Sequence, residues 1–167
     1  MARLIKHLAG ANVVFVLISS VHVPAAKGAT SPTPRTAPIS GQVTSVRADE
    51  DIVFAQETQP QNIVSRQDLK AGDVIRTNAK GALSIVFADQ TQVRLARNTT
   101  LVVKKVVAGT PSSLHVTKGN VWARAPRGRA RLSVSTPSAT AAIRGTEWAL
   151  RVNQDATELS VISGHVD

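Results

Sequence analysis

The chain has 167 residues, 43% of them hydrophobic and 19% charged, which suits one globular domain able to bury a core. Cys and Tyr are absent and aromatics make up only 3%, so disulfides, thiolate metal sites and cysteine nucleophiles are excluded, and a broad stacking platform for single-stranded nucleic acid is disfavoured. Net charge is +9; with Arg3, Lys6 and Lys27 set aside, 17 basic residues face 11 acidic ones, and this +6 remainder suits anionic lipid, polyanionic glycan, nucleic acid or an acidic protein face without choosing among them.

Met1 to His7 carries Arg3 and Lys6, and Leu8 to Val23 follows without a charged side chain. This is the layout of a secretory signal, predicted over residues 1–28, with Ala25 and Gly28 as candidate cleavage positions. Asn12, Ser19, Ser20 and His22 dilute the apolar run below the roughly 20 apolar residues of a membrane-spanning helix, which favours cleavage over an uncleaved anchor. Either way the remainder is expected outside the cytoplasm, periplasmic or secreted. Residues 29–40, rich in Pro and Thr, read as a stiff extended leader, and a β domain is expected over residues 41–167.

From Gly41 onwards short apolar alternations are separated by Gly, Asn, Asp and Pro. They predict strands over 42–47, 52–55, 74–77, 82–87, 92–96, 100–107, 113–117, 121–125, 131–135, 140–144, 147–152 and 158–162, and no window carries helical periodicity. The fold class is therefore all-β, a rolled sheet or jelly-roll-like sandwich behind an N-terminal signal helix. Leu83, Ile85, Phe87, Val93, Leu95, Leu101, Val103, Leu114, Val116, Val121, Leu132, Val134, Ile143, Trp148, Leu150, Val152, Leu159 and Val161 are the inward candidates. Gly164 to Asp167 reads as the opening of a further strand that stops early, as in a domain truncated at its C-terminus.

Thr136 to Val152 organises the rest. A Thr136-Pro137 turn leads through Ile143 into Arg144-Gly145-Thr146, where Gly145 lets a strand turn a corner before Trp148, Leu150 and Val152 resume alternation. Arg144 is either part of that bend or a partner contact.

Catalytic chemistry finds little support. His115 and His165 lie far apart without a neighbouring acid, and Asp49-Glu50-Asp51 reads as a solvated turn, with calcium binding together with Glu57 as its lesser alternative. The sequon at Asn98 reads as a turn, and phosphate loops are absent. The strongest charge feature is Arg124, Arg127, Arg129 and Arg131, placed on one hairpin around Pro126 and Gly128. Guanidinium groups suit carboxylate or phosphate, so these four and Arg144 are the candidate partner-binding residues, against the alternative of a solvated basic turn. No catalytic, metal or cofactor-binding residue is assigned, and no cofactor is expected.

The order of features resembles the FecR domain, carried by Gly41-Gln42-Val43, Leu69, Gly72-Asp73-Val74-Ile75-Arg76-Thr77, Gly81-Ala82, Asp89, Leu95, Asn98-Thr99, Leu114, Gly119, Val121, Thr136-Pro137-Ser138-Ala139, Arg144-Gly145-Thr146, Gly164 and Val166. Gln90 departs from the Gly usual after the turn Asp. The resemblance implies a non-catalytic extracytoplasmic β domain working by interaction in envelope signalling or assembly, with Gly72, Asp73, Thr77, Thr136, Pro137, Arg144, Gly145, Thr146 and Trp148 as its fold motif. Its partner is expected to be an envelope protein or an anionic glycan or lipid surface, and not nucleic acid. Two alternatives are a structural envelope component acting by sheet-edge pairing, and the sensor part of a sigma-factor regulatory system without the cytoplasmic region, for which Met1 to His7 is too short.

Overall fold

A computed structural model describes residues 35–127 and 132–166; the expected signal helix, Arg129 and Arg131 lie outside the described residues. The described chain is all-β, with strands β1 Ile39–Arg47, β2 Asp51–Val53, β3 Gln61–Asn62, β4 Asp68–Lys70, β5 Val74–Arg76, β6 Ala82–Phe87, β7 Gln92–Leu95, β8 Thr100–Lys105, β9 Ser112–Arg124, β10 Leu132–Ser135, β11 Thr140–Val152 and β12 Thr157–Val166. All pairings are antiparallel except β9 with β10.

Two long strands make the sheet curl. The first half of β9 lies between β8 and β10, its second half between β7 and β11, so β9 belongs to both arms of the sheet. One arm runs on through β8, β5, β2 and β3, the other through β7, β6, β1 and β4. Each long strand bends at a glycine in the left-handed region, Gly119 (φ 98°) in β9 and Gly145 (φ 60°) in β11. The bend also shifts the alternation by one residue. Ser112, Leu114 and Val116 are buried before Gly119 but Val121 and Ala123 after it; Ile143 is buried before Gly145 but Thr146, Trp148, Leu150 and Val152 after it. A shift of one residue reverses which side chains face inward, so both halves of each strand serve the same interior.

The crossover from β9 to β10 is short for a parallel connection, and the bend is the reason. A straight β9 would span about 40 Å, whereas the chain from Arg124 to Leu132 reaches at most about 28 Å fully extended. Leu132 nevertheless pairs beside Ser112, at the far end of β9. The bend brings those ends within reach.

The arms enclose one apolar cluster with contributions from both, including Val43, Ile52, Leu69, Ile75, Phe87, Leu101, Leu132 and Trp148. Every inward candidate read from the sequence is in it except two at the edge: Leu159 is only partly buried and Val161 is 46% exposed. Val161 alternates correctly, but among the described residues β12 pairs with β11 alone, at the edge of the sheet. Gly164 opens no new strand either, because β12 continues through it to pair Val166 with Ile143. At the front, β1 begins at Ile39, and Arg35 in the leader is ion-paired to Asp73 and stacks over Phe54, 4.2 Å from the ring centroid.

Candidate functional site

Most of the motif residues build corners. Gly72 donates its N–H to Val103 O at 2.7 Å, fastening the β4–β5 turn to β8. The fully buried Asp73 carboxylate accepts from the N–H groups of Lys70 (2.8 Å) and Ala55 (3.0 Å) and from Arg35. Thr77 Oγ1 accepts from Thr99 N–H at 2.9 Å, and Thr99 Oγ1 in turn accepts from Asn120 N–H at 3.0 Å, so this pair of buried hydroxyls holds the bend of β9. Thr136 caps the β10–β11 turn, accepting from Ala139 N–H at 3.0 Å, with Pro137 exposed at its tip. Trp148 is fully buried core.

The corner at Arg144-Gly145-Thr146 does more. Thr146 is buried, its Oγ1 donating to Arg144 O at 2.9 Å, and its carbonyl accepts from Ala125 N–H at 2.9 Å, which pins the start of the β9–β10 crossover. Arg127 then lies against Gly145; a Cβ at 145 would sit 3.1 Å from Arg127 Cα, so a side chain there would have to push the crossover back by a few tenths of an ångström while holding φ at 60°, which glycine avoids. The result is a polar cleft of about 280 Å³ lined by Arg124, Pro126, Arg127, Gly145, Glu147 and Ser163.

The arginine segment is thus a crossover between parallel strands, and the hairpin read from the sequence is corrected. Arg124, Arg127 and Arg144 are exposed around this corner and form no ion pair among the described residues. The carboxylate of the cleft, Glu147, accepts at Oε1 from the Trp122 indole N–H at 3.2 Å. Nothing in the strand periodicity announced that meeting of Arg127 and Gly145, because it depends on where the crossover returns.

The acidic turn is also corrected. Glu50 is buried, not solvated: its Oε2 accepts from Asn78 N–H at 2.8 Å and its carboxyl fills the space left by Gly81. Burial raises its pKa from the ordinary 4.5, the Asn78 hydrogen bond opposes the rise, and Asp51 and Asp49 add to it. Glu57 faces Gln61 instead, accepting at 2.7 Å. His115 sits at the rim with Nδ1 2.9 Å from Ser135 Oγ.

Fold and site together define an all-β domain whose sheet doubles back at glycine corners, one of which carries an arginine-lined cleft. The family model described as FecR protein matches residues 73–167, more than half of the chain, and the chain belongs to the FecR family. That family comprises envelope-associated regulators in sigma-factor signalling and is not known as enzymatic. The match begins at Asp73 rather than Gly41, although β1 pairs directly with β6 inside it. No curated protein and no solved structure matches the chain.

Proposed function

We propose that this is a non-catalytic, exported interaction domain that engages an acidic face of an envelope partner through Arg124, Arg127 and Arg144, with Arg129 and Arg131 adding charge along the same crossover. The observation that carries the reading is the close seat of Arg127 on Gly145, which puts Arg127 in one cleft with Arg124, next to exposed Arg144, with no ion pair to any of the three among the described residues. Unpaired arginines offer forked donors to carboxylates or phosphates, and their field would steer an anionic partner inward. The layout of residues 1–28 supports export. Capture from an envelope extract tests the contact. Arg124→Glu with Arg127→Glu is expected to abolish it, and capture at the wild-type level would reject the assignment.

A second reading rests on β12. Val161 and Ile162 are 46% and 58% exposed on a strand paired along one edge only, the kind of surface that accepts an added strand. If Val161→Lys with Ile162→Lys removes capture while the arginine variant keeps it, edge pairing is the mode of contact.

A further inference from the structure

We propose a second binding surface, a sugar-binding groove on the outer face of the β7–β9–β11–β12 sheet, centred on Trp122 and selective for a glycan that bears carboxylates. Arg94, Trp122, Ala149 and Ser160 stand opposite one another in register across these four strands. Their neighbours Val93, Val121, Trp148 and Leu150 point inward and are buried, so the row lies on the outer face. Ala149 and Ser160 are too short to cover the indole. Beside it lies a cavity of about 330 Å³, lined by Arg94, Asn120, Trp122, Ala149, Arg151 and Glu158 among others.

The chemistry is that of a polyhydroxylated ring with an apolar face. Trp122 supplies a flat surface for pyranose C–H groups, and it is held in place before any ligand arrives. Its Nε1 donates to Glu147, and the Arg94 guanidinium lies over one face of the ring, 5.0 Å from its centroid, so a sugar would use the other face. A ring fixed at two points loses little freedom on binding. Around it Asn120 can donate and accept, Arg94 can donate, the exposed Arg151–Glu158 pair, 3.8 Å apart, can do both, and Glu147 can accept from sugar hydroxyls. Arg124, two residues from Trp122 on the same exposed face and without an ion pair among the described residues, is placed to take a uronate carboxylate.

The inference shares Arg124 with the function proposed above, but Trp122 and Ala149 belong to the groove alone. Oligogalacturonate is the probe, titrated into the full chain, with a cello-oligosaccharide as the neutral control and a mixed-sequence DNA oligonucleotide as the alternative polyanion. The chain has two Trp, so the indole N–H spectrum carries two signals, of which Trp122→Phe identifies one. Oligogalacturonate is expected to move the Trp122 signal and leave that of buried Trp148 in place. Trp122→Ala, and independently Ala149→Phe, which fills the groove and leaves the indole, should each weaken binding about tenfold, the upper end of what one aromatic stacking contact gives. Arg127→Glu should weaken it less than about threefold, under about half of that energy. Absence of saturable binding, binding indifferent to both groove substitutions, or equal Trp122-dependent binding of the oligonucleotide would overturn the proposal. Envelope capture judges the arginine contact separately: glycan binding that survives when no partner is captured leaves the groove standing and removes only the earlier assignment.

Discussion

Gln90 carries the sharpest local conflict between residue type and backbone. Between β6 and β7 it is the last of the three residues, Ala88 to Gln90, enclosed by the bond from Phe87 N–H to Thr91 O at 2.9 Å, with φ of 71° in the region that favours glycine. Its side chain is exposed, and nothing about it needs the length of Gln. Gln90→Gly should therefore raise stability by up to about 1 kcal/mol, while the β-branched Gln90→Val should lower it by about 1 kcal/mol or more. Urea unfolding decides, and a stabilising Val would refute the account. Glu50 gives a pH test. Its folded pKa lies above its unfolded one, so the native state holds the extra proton and the group's contribution falls as pH rises from about 4.5 through the raised value. Glu50→Gln has no such titration. The variant should gain on wild type across that window and hold a constant difference above it; a variant that loses ground to wild type as pH rises would contradict the burial argument. Gln90 was legible beforehand as a departure from Gly after the turn Asp, whereas the burial of Glu50 was not. Consecutive acids look solvated, and although Thr77 was expected in the fold motif its pairing with Thr99 was not, because burial of a polar group depends on partners more than twenty residues away, as in the Thr77–Thr99 bond.

At the scale of elements, the sequence resolved the six residues of β6 at their true bounds, where alternation runs unbroken and both ends are turns. It divided β9 and β11 into two strands each. The physical reason lies in the corners: a glycine that shifts alternation by one residue interrupts periodicity as a turn does, and only the pairing of both halves reveals one bent strand. β3 and β4, of two and three residues, are too short for any period to register. If Gly119 is the hinge of β9, it cannot be replaced. An added Cβ would lie 2.5 Å from Thr99 Cα, at φ of 98°, so relief would require moving backbone in both strands. Gly119→Ala is expected to cost at least about 3 kcal/mol, or to prevent folding, through strain and loss of the Thr99–Asn120 contacts. A loss below about 1 kcal/mol in urea unfolding would show that the bend does not depend on this residue.

For the whole domain, the question is how the strands before Asp73 are joined to the region that carries the family pattern. Sheet pairing gives part of the answer, since β1 bridges β4 and β6. Composition and turn spacing were enough to reveal an all-β chain, but the rest of the answer depends on an arginine in a segment that read as leader. Arg35 reaches Asp73 with one nitrogen and Asp68 O with another at 3.2 Å, rests on Phe54, and receives Lys70 Nζ at its own carbonyl. Asp73 is fully buried, and a carboxylate that loses its cation in such a place keeps its desolvation cost without compensation. Two backbone N–H groups would remain to it, and the Arg35 side chain is 20% exposed, both of which soften the loss. Arg35→Ala should thus cost about 2–3 kcal/mol, less than the roughly 3–5 kcal/mol of a fully enclosed pair, and Arg35→Lys less again because the charge survives without the fork and the ring contact. Hydrogen exchange locates the effect. If Arg35 fastens the early strands to the later ones, amides of β4 and of the turn at Ala71–Asp73 should lose protection in Arg35→Ala before those of β9 and β11 do. Uniform loss across the sheet, or no loss at all, would mean that strand pairing alone unites the domain.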